Sequence, residues 1–436
     1  MPGAHLSNSS NRMRPPQTGG FTLLEVIVSV AILLMLLSIL AAVIALVSPA
    51  LKTSGNGIAS FQQARAGFEA LTQNLSQATL TTYWDYVDSN GNFRTPSNTS
   101  TFVPAGFARA SQLHFISGWA TSKPQGQYSG GTTLVPGGSA STTPGDAIFF
   151  QAPLGRSITS TYQPLDSSLN EVGFYVQFSD DTNDWPSFVK SSLGTNYRFR
   201  LMEWVPQTQN LGIYASTFQT SSATPYPNIY DLQWVTQCLP TIGSSPGTAT
   251  LTTTVAGSAG SVTLQQDAPR VLAENVVLLI MLPKLTPQDE TNLANESGYT
   301  PGTLLCPNYQ YDSRAWETAG ISPYVTTGSA SSGVGAVLSG KFGGSNYSLV
   351  SLMKNQLPPL VEVVMIAISD SDAQRLQKIH GTTLPPELTV SSTAFQTSAN
   401  LASDVQAYET QLNSHHITYK TFSTTVQIKG AKWSLN

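Results

Sequence analysis

One carboxylate lies alone inside a long apolar stretch, and it is the residue of this sequence whose position most clearly indicates a specific chemical role. From residue 21 to residue 47 the polar side chains are three hydroxyls and a single acid, Glu25. About 20 apolar residues suffice to cross a bilayer as a helix. A carboxylate within such a span costs of the order of 2.5 kcal/mol or more near the centre. The sequence therefore predicts a positively charged partner or a specific role for Glu25.

The residues just before this acid carry a resemblance to a known family. A small residue, an aromatic residue and then the lone acid, at the head of the apolar stretch, resemble the processing site of type IV prepilins and pseudopilins. The resemblance implies that an inner-membrane prepilin peptidase cuts between Gly20 and Phe21 and methylates the new N-terminus. It also implies that Glu25, the fifth mature residue, pairs with the N-terminal amine of a neighbouring subunit. An intrachain pair is the alternative.

The alternatives to this interpretation are an ordinary signal peptide and an uncleaved signal anchor. A secretory signal has a shorter apolar core that ends in an A-x-A-like site, whereas this junction precedes the apolar stretch. The leader, residues 1–20, contains Arg12 and Arg14 and no acid, which favours a cytoplasmic leader. The sequence thus predicts a single-pass inner-membrane protein with a transmembrane helix over residues 21–47, in contact with membrane lipid, and a periplasmic or extracellular head.

The composition narrows the class of partner and the redox chemistry. The 436-residue chain has a formal net charge of −4, and only 11% of its residues are charged, against about 25% in ordinary soluble domains. We found no basic cluster, so we expect no nucleic-acid partner. The two cysteines, Cys238 and Cys306, form either a disulfide, which an oxidising compartment permits, or two buried thiols.

The usual signatures of catalysis are missing from the sequence. It contains no G-x-S-x-G elbow, H-E-x-x-H pair, Walker loop or paired-cysteine metal site. His114 and His380 stand isolated, and the adjacent His415 and His416 would point to opposite sides of a strand. We therefore expect a protein that is not an enzyme and that has no cofactor.

Two oxygen-rich stretches leave calcium open as a ligand. Asp180, Asp181 and Asp184 form one of them, and residues 85–92 form the other. Calcium takes six to eight oxygen ligands from such loops. Asp, Asn and Gly clusters are also the ordinary composition of turns, and neither stretch has EF-hand spacing, so the sequence leaves both interpretations open.

Helical periodicity continues beyond the membrane span. Apolar residues spaced by three and four predict one buried helix face, made of Phe61, Ala64, Phe68, Leu71 and Leu75. We expect an extracytoplasmic helical stem over residues 48–82, with an interruption near 49–57, where Pro49, Gly55 and Gly57 occur.

The rest of the chain, residues 83–436, predicts a globular head of strands and short helices. Alternating or continuous apolar residues predict strands at 172–178, 197–201, 276–282, 361–368 and 419–428. The first two are expected to be half-buried. Short helices are predicted at 372–379 and at 404–412, the second with Ser403 as its N-cap. The Gly-, Ser- and Thr-rich stretches 125–144, 242–262 and 327–346 are predicted to be surface loops.

The predicted fold class is therefore α+β: a long N-terminal helix, transmembrane in its lower half, packed on an elaborated antiparallel-sheet head, as in pilins. The segment from Gln356 to Val364 resembles a strand of J-type minor pseudopilins of type II secretion. Other segments are similar to pilin-like cassette proteins of the verrucomicrobial lineage: residues 75–80, 83–86, 422–426 and 431–433.

We interpret the sequence as a non-enzymatic pilin-like subunit, a minor pseudopilin. The resemblance implies assembly with other pilin subunits into a type II secretion or type IV pilus-like filament. The large head favours a position at the tip or a low abundance, because bulk on every copy would crowd the array. The alternative is a membrane-tethered module that binds a carbohydrate or another surface, with the loops at 125–144 and 327–346 as its recognition surface.

Overall fold

The computed structural model describes a defined part of the chain. Its residues are 22–89, 93–94, 100–121, 133–160, 162, 165–180, 188, 195–216, 233–255, 258–297, 305–306, 308–314, 339–342, 345–348 and 353–433. The chain divides into two compact units, Met1–Gly55 and Asn56–Asn436. The long first helix runs through both units, and the sheets lie in the second.

After the long first helix, the described residues form five further helices and fifteen strands. The helices are α1 (Leu23–Ser76), α2 (Ile213–Ser216), α3 (Gln233–Thr236), α4 (Pro287–Ser297), α5 (Asp370–His380) and α6 (Leu401–Ser414). The strands are β1 (Tyr83–Val87), β2 (Gly106–Ala110), β3 (Ile116–Trp119), β4 (Asp146–Ala152), β5 (Asn170–Ser179), β6 (Arg198–Trp204), β7 (Thr248–Val255), β8 (Ser258–Gln265), β9 (Arg270–Glu274), β10 (Val276–Lys284), β11 (Tyr311–Asp312), β12 (Ser339–Phe342), β13 (Ser345–Ser348), β14 (Leu360–Ile368) and β15 (Tyr419–Gln427).

Two antiparallel sheets form the head. The larger has six strands in the order β11-β3-β4-β5-β6-β9, and the smaller has three in the order β10-β14-β15. Antiparallel two-stranded ribbons pair β1 with β2, β7 with β8, and β12 with β13. The predicted α+β class, an N-terminal apolar helix with an antiparallel-sheet head, is confirmed.

A single residue carries the chain from the large sheet into the small one. Asn275 lies between β9 and β10 and has a positive φ of 62°, a conformation that Asn tolerates better than most side chains. Its N–H donates to the Phe199 carbonyl at 2.7 Å in the large sheet, and its own carbonyl accepts from the Ile368 N–H at 2.9 Å in the small sheet. The buried turn therefore ties both sheets together by main-chain bonds.

The two sheets also meet at the start of β4. The buried carboxylate of Asp146 accepts a hydrogen bond from the Met281 N–H of β10 at 2.7 Å. Beside it, Gly145 has a φ of +85°, and a Cβ there would lie 2.2 Å from the Leu279 carbonyl oxygen. Only glycine fits such an approach, so this position fixes how closely the sheets pack.

The upper part of α1 packs against both sheets through the predicted face. Ala64, Leu71 and Leu75 are fully buried and Phe68 is 8% exposed. The Phe68 ring lies 5.8 Å from the ring of Phe422 in β15. On the side of the large sheet, a Cβ on Gly67 would lie 3.0 Å from the Ala273 Cβ of β9, which shows how close the helix approaches.

The predicted interruption of the helix is wrong. Helix α1 is continuous from Leu23 to Ser76, through Pro49, Gly55 and Gly57. A proline removes one main-chain hydrogen bond, and a glycine costs about 1 kcal/mol relative to alanine. Neither is sufficient to end a helix that has many other bonds on each side. The helix ends at Ser76, before the predicted boundary at residue 82.

The two strands expected to be half-buried are instead covered on both faces. In β5 every residue before Ser179 is buried, and in β6 all residues after Arg198 are buried. Gly173 explains part of this difference, because a Cβ there would lie 2.5 Å from the Phe149 ring and 3.4 Å from the Trp204 ring. Gly173, which suggested a solvent-exposed face of the strand, therefore makes room for the Phe149 and Trp204 rings.

The three stretches predicted to be surface loops contain ordered elements where the structure describes them. In the second stretch, the described residues from 248 onward belong to the β7–β8 ribbon, with Ala249 and Leu251 buried, because alternating Thr, Ala and Val residues favour a strand. In the first stretch, Leu134 and Val135 are buried in the core. In the third, residues 339–342 and 345–346 are in the β12–β13 ribbon, and 327–338 lie outside the described residues.

The short helices begin earlier than predicted. Helix α5 starts at Asp370, where the Ser369 side chain caps it by accepting from the Asp372 N–H. Helix α6 starts at Leu401 and its N-cap is Asn400. Ser403 lies inside α6 and donates to the Asn400 carbonyl at 2.8 Å, so its predicted N-cap role is wrong. One face of α6 is apolar, with Tyr408 and Leu412 buried.

Candidate functional site

The first turn of α1 is closed by a side chain of the apolar stretch itself. The Thr22 hydroxyl accepts from the Glu25 N–H at 3.3 Å, and the Thr22 carbonyl accepts from the same N–H at 3.0 Å and from the Val26 N–H at 3.2 Å. A threonine followed three residues later by a glutamate is the sequence of a capping box. The acid also lies in the first turn, where the helix dipole favours a negative charge.

The residues that follow form a span suited to a membrane. Leu23–Ala45 is a 23-residue segment of mean hydropathy 3.1, and none of it is buried within the protein. Its large apolar side chains are about half to four-fifths exposed. A continuous apolar surface of this extent marks a membrane or protein contact. The segment is also long enough to cross a bilayer once.

Within this span, the hydroxyl groups are satisfied and the carboxylate is not. Ser29 donates to the Val26 carbonyl at 2.9 Å, and Ser38 donates to the Met35 carbonyl at 2.7 Å. Such bonds along the helix remove the demand of a hydroxyl for water. Glu25 is the only charged residue between Leu23 and Ala45. No cation among the described residues forms an ion pair with it.

The other sequence-predicted residues fall in different places. Gly20 and Phe21, the predicted processing junction, lie outside the described residues, as do Asp181 and Asp184. Asp180 follows β5 and is partly buried. Among the described residues, no group of three or more His, Cys, Asp or Glu side chains is arranged to hold a metal ion. The two interpretations of the Asp180 stretch, a calcium ligand set or an ordinary turn, therefore stay open.

Of the two alternatives for the cysteines, a disulfide or two buried thiols, the structure has the buried thiols. Cys238 and Cys306 are buried thiols in this structure and do not form a disulfide. Cys238 follows α3. A Cβ on Gly212 would lie 2.6 Å from the Cys238 Sγ, so the thiol packs closely against this glycine. Burial raises the pKa of the Cys306 thiol well above its ordinary value, with the charges of Asp146 and Glu290 adding to that effect.

Sequence inspection missed a buried cluster around His114. The Trp234 Nε1–H donates to His114 Nδ1 at 3.2 Å, so Nε2 carries the proton and donates to Asp312 Oδ1 at 2.7 Å. Burial lowers the pKa of His114, and the neighbouring carboxylate opposes that shift. Both ring nitrogens are engaged, so the neutral histidine joins three distant segments. The prediction that His114 is isolated is wrong.

The remaining described histidines lie nearer the surface. His380 pairs with Glu387 at 3.0 Å, so it too is not isolated, since the 3-10 turn Pro386–Leu388 brings the acid back to the end of α5. His415 and His416 are exposed at the turn that follows α6. Nothing in this arrangement provides a paired metal site among the described residues.

A second missed feature is an exposed aromatic surface on the β1–β2 ribbon. The register places Tyr86 opposite Phe107 and Trp84 opposite Arg109, so all four side chains lie on one face of the ribbon. The Tyr86 and Phe107 rings are 4.7 Å apart, and the Arg109 guanidinium lies 6.0 Å from the Trp84 ring. Trp84 and Phe107 are each about 60% exposed. We call these four residues the aromatic face.

The comparisons with known proteins bear on the N-terminal segment. Residues 16–41 match the model of the prokaryotic N-terminal methylation motif. The chain carries a prepilin-like N-terminus. The matched segment includes the predicted junction at Gly20 and Phe21, Glu25, and most of the apolar span. The comparison with curated proteins and the comparison with solved structures gave no match.

This motif has direct consequences for processing and location. It implies cleavage by a prepilin peptidase and assembly with other pilin subunits, and it supports a type IV pilin-like or pseudopilin precursor. Together with the apolar span Leu23–Ala45, it fits a protein anchored in a membrane by a single pass.

Proposed function

We propose that this protein is a non-enzymatic minor pilin-like subunit that assembles into a type II secretion or type IV pilus-like filament. The observation that carries the proposal is the methylation motif over residues 16–41, which overlaps the exposed apolar span Leu23–Ala45 with its single acid. In the precursor the leader remains in the cytoplasm and the head lies outside the inner membrane.

Glu25 is the residue to which we assign assembly. Its main-chain N–H is capped by Thr22, and its carboxylate has no ion-pair partner among the described residues. In hydrocarbon such a charge is stable only beside a positive group. Cleavage before Phe21 would create a positive group, the new N-terminal amine. A neighbouring subunit that brings its own amine to Glu25 would neutralise both charges as the stems pack.

The size of the head supports a minor position. The second compact unit extends from Asn56 to Asn436, and it contains two sheets and several added ribbons. A head of this size on every copy would crowd a helical array of stems. A subunit at the tip, or one present in few copies, avoids that crowding. The resemblance of residues 356–364 to J-type pseudopilins supports the same position, and these residues lead into β14, the central strand of the small sheet.

The decisive test is the state of the mature N-terminus. Intact-mass analysis of protein extracted from membranes should show a chain that begins at Phe21 and carries one added methyl group. In cells without the prepilin peptidase, the full precursor should accumulate instead. Gly20→Leu should also block cleavage, because the peptidase needs a small side chain at the junction. A chain that keeps its leader in the presence of active peptidase would refute the proposal.

One observation favours a second candidate, a tethered module that binds carbohydrate. The aromatic face presents the flat rings of Trp84, Tyr86 and Phe107 to solvent, and the apolar C–H faces of sugars stack on such rings. Binding of the full chain to polysaccharide, lost in Trp84→Ala and kept in Tyr162→Ala, would support this candidate. Tyr162 is a suitable control because it is an exposed aromatic outside the ribbon. Equal binding by the parent and Trp84→Ala would exclude the aromatic face.

A further inference from the structure

The last strand of the chain has one edge that the described residues leave uncovered. β15 is an outer strand of the small sheet and pairs with β14 over its whole length, from Tyr419 opposite Ile368 to Gln427 opposite Leu360. On its other side, no described segment forms main-chain hydrogen bonds with it. Ser423, Thr425 and Gln427 are exposed along this edge.

The hydrogen bonds at both ends of β15 establish which main-chain groups face outward. The Ser369 N–H donates to the Thr418 carbonyl at 2.9 Å, and the Ile428 N–H donates to the Pro359 carbonyl at 3.1 Å. Both pairs continue the register of the two strands. In an antiparallel pair, alternate residues direct both main-chain groups to the partner. Even-numbered residues of β15 therefore face β14, and the residues that face outward are Tyr419, Thr421, Ser423, Thr425 and Gln427.

This edge has few of the features that usually prevent strands from pairing. Natural edge strands carry a proline, a bulge or a charged side chain that blocks a second strand. β15 has no proline, its one charged residue is Lys420 near its N-terminal end, and its register with β14 is unbroken. Its Thr and Phe residues favour extended structure. The edge is therefore open to strand addition, in which main-chain bonds provide the affinity.

We propose that β15 is a dimerisation strand, which pairs antiparallel with β15 of a second copy of this chain about a two-fold axis at Ser423. Ser423 is the midpoint of the nine-residue strand Tyr419–Gln427, and it is one of the outward-facing residues. In this register the two strands overlap over their whole length, and each outward-facing residue lies opposite another outward-facing residue, as the hydrogen bonds of an antiparallel pair require.

The side chains are compatible with this register. Thr421 of each copy lies opposite Thr425 of the other, and cross-strand Thr pairs are favourable. Lys420 lies opposite Val426, so no like charges face each other. The strand is thus complementary to itself, as a two-fold interface requires.

An open groove lies where the end of the second strand would enter. It has a volume of about 700 Å³ and is lined by residues of α6 and the start of β15, including Glu409 and Ile417. In the proposed register Gln427 of the second copy lies opposite Tyr419, at the mouth of this groove, which also contains Lys420.

This pairing goes beyond assembly through the stems and does not depend on it. Two copies anchored in one membrane are confined to the same layer, which raises their effective concentration for head-to-head contact. The head could therefore dimerise whether or not a filament has formed.

A pair of cysteine variants tests the register in the full chain. In membranes under mild oxidation, Ser423→Cys should give a disulfide-linked dimer, because directly opposed residues have Cα atoms about 5.5 Å apart, within disulfide range. Thr424→Cys is the matched control. Its two copies would be offset by two residues, about 8 Å apart, which exceeds the disulfide limit of about 7 Å. The parent chain, with its two buried thiols, should remain monomeric on a non-reducing gel.

A third variant tests the main-chain bonds. Thr425→Pro removes an outward N–H and leaves the β14 pairing intact, which an edge strand tolerates. In the Ser423→Cys background it should abolish most of the linked dimer, while the urea unfolding midpoint stays close to that of the parent. Three outcomes would overturn the proposal: equal cross-linking by the Ser423→Cys and Thr424→Cys chains, no cross-linking by Ser423→Cys, or linkage of the Ser423→Cys chain only to a different protein.

Discussion

Buried acids of the head act as acceptors for main-chain groups of neighbouring segments. Asp146 accepts the Met281 N–H between the sheets. Glu171, in β5, accepts the Ile213 N–H at the start of α2 at 2.7 Å, and the Gly212 N–H also bonds to it. Each bond satisfies a main-chain donor that burial would otherwise leave without a partner. These acids therefore position connections between segments of the core.

Glu171 makes this arrangement sensitive to pH. Burial raises the pKa of its carboxyl from 4.5 to about 8, and the two N–H bonds only partly oppose that shift. Because the folded-state pKa is raised, the stabilising contribution is complete below about pH 4.5 and is lost as the pH rises towards 8. The loss is of the order of 1.4 kcal/mol per pH unit between the two values.

We predict that Glu171→Gln will remove this part of the pH dependence. Glutamine keeps an oxygen acceptor of similar shape and cannot ionise. Relative to the parent, the variant should therefore gain unfolding free energy between about pH 5 and about pH 8, and urea unfolding of the full chain at both values measures the difference. Parallel pH profiles for the two proteins would show that Glu171 does not titrate in this range.

At the scale of elements, contacts with the head determine where α1 ends. Its apolar spacing of three and four residues places Leu71 and Leu75 in the core, while Gln63 and Arg65 stay exposed. Helical stability in proteins comes mostly from such packing of one face. The helix ends at Ser76, whose carbonyl accepts the Lys429 N–H at 3.0 Å, so the chain after β15 closes the end of α1.

Leu71→Ala should therefore destabilise the head. Removal of a buried leucine side chain typically costs about 2–5 kcal/mol, because a cavity remains. Gln63→Ala, on the exposed side of the same helix, is the control and should change stability by less than about 0.5 kcal/mol. Urea unfolding of the mature chain, followed by the fluorescence of the buried Trp204 and Trp234, distinguishes the two. Similar midpoints for both variants would contradict the packing of α1 on the sheets.

The sequence predicts local elements well and long-range contacts poorly, for a physical reason. Apolar periodicity is a local property, so the face of α1 and the strands β10 and β14 were visible in it. The contact between His114 and Asp312 joins residues 198 positions apart, and no local pattern encodes it. The burial of β5 on both faces was likewise hidden, because Gly173 suggests solvent until Phe149 and Trp204 are placed beside it.

The N-terminal site likewise has some features that the sequence predicts and others that only the structure shows. Glu25 and the apolar span were identified from residue types alone, because a lone acid in hydrocarbon is costly wherever the helix goes. The Thr22 cap needed the structure, since it depends on the turn geometry at the start of α1. The aromatic face needed it too, because Trp84 and Phe107 are far apart in sequence and share a face only through the register of β1 and β2.

At the scale of the whole molecule, the contacts proposed for the stem and for the head are chemically different. The stem presents an apolar surface with one carboxylate. The head presents a strand edge with one charged residue, Lys420, and an aromatic face. Variants of the stem should therefore affect incorporation into a filament, and variants of β15 should affect head pairing, without either change acting through the other.

Glu25→Ala provides the sharpest test at this scale. Cleavage and membrane insertion should persist, because the substitution makes the span more apolar. Incorporation with partner subunits should fall, since the amine of a neighbouring chain would be left in hydrocarbon without its counter-charge. Co-isolation with pilin-like partners measures this effect, and the amount of mature protein in the membrane fraction is the control.

Glu25→Gln separates charge from polarity in the same experiment. If the amine needs only a hydrogen-bond acceptor, the glutamine variant should assemble almost normally. If the charge itself is required, it should fail as Glu25→Ala does. We expect the second result, because a charged amine in a low-dielectric environment is stabilised far more by a full opposite charge than by an amide oxygen. Assembly of Glu25→Ala at the parent level would show that Glu25 does not dock the subunit. The comparison should be quantitative, since a tip subunit with neighbours on one side would lose only part of its contacts.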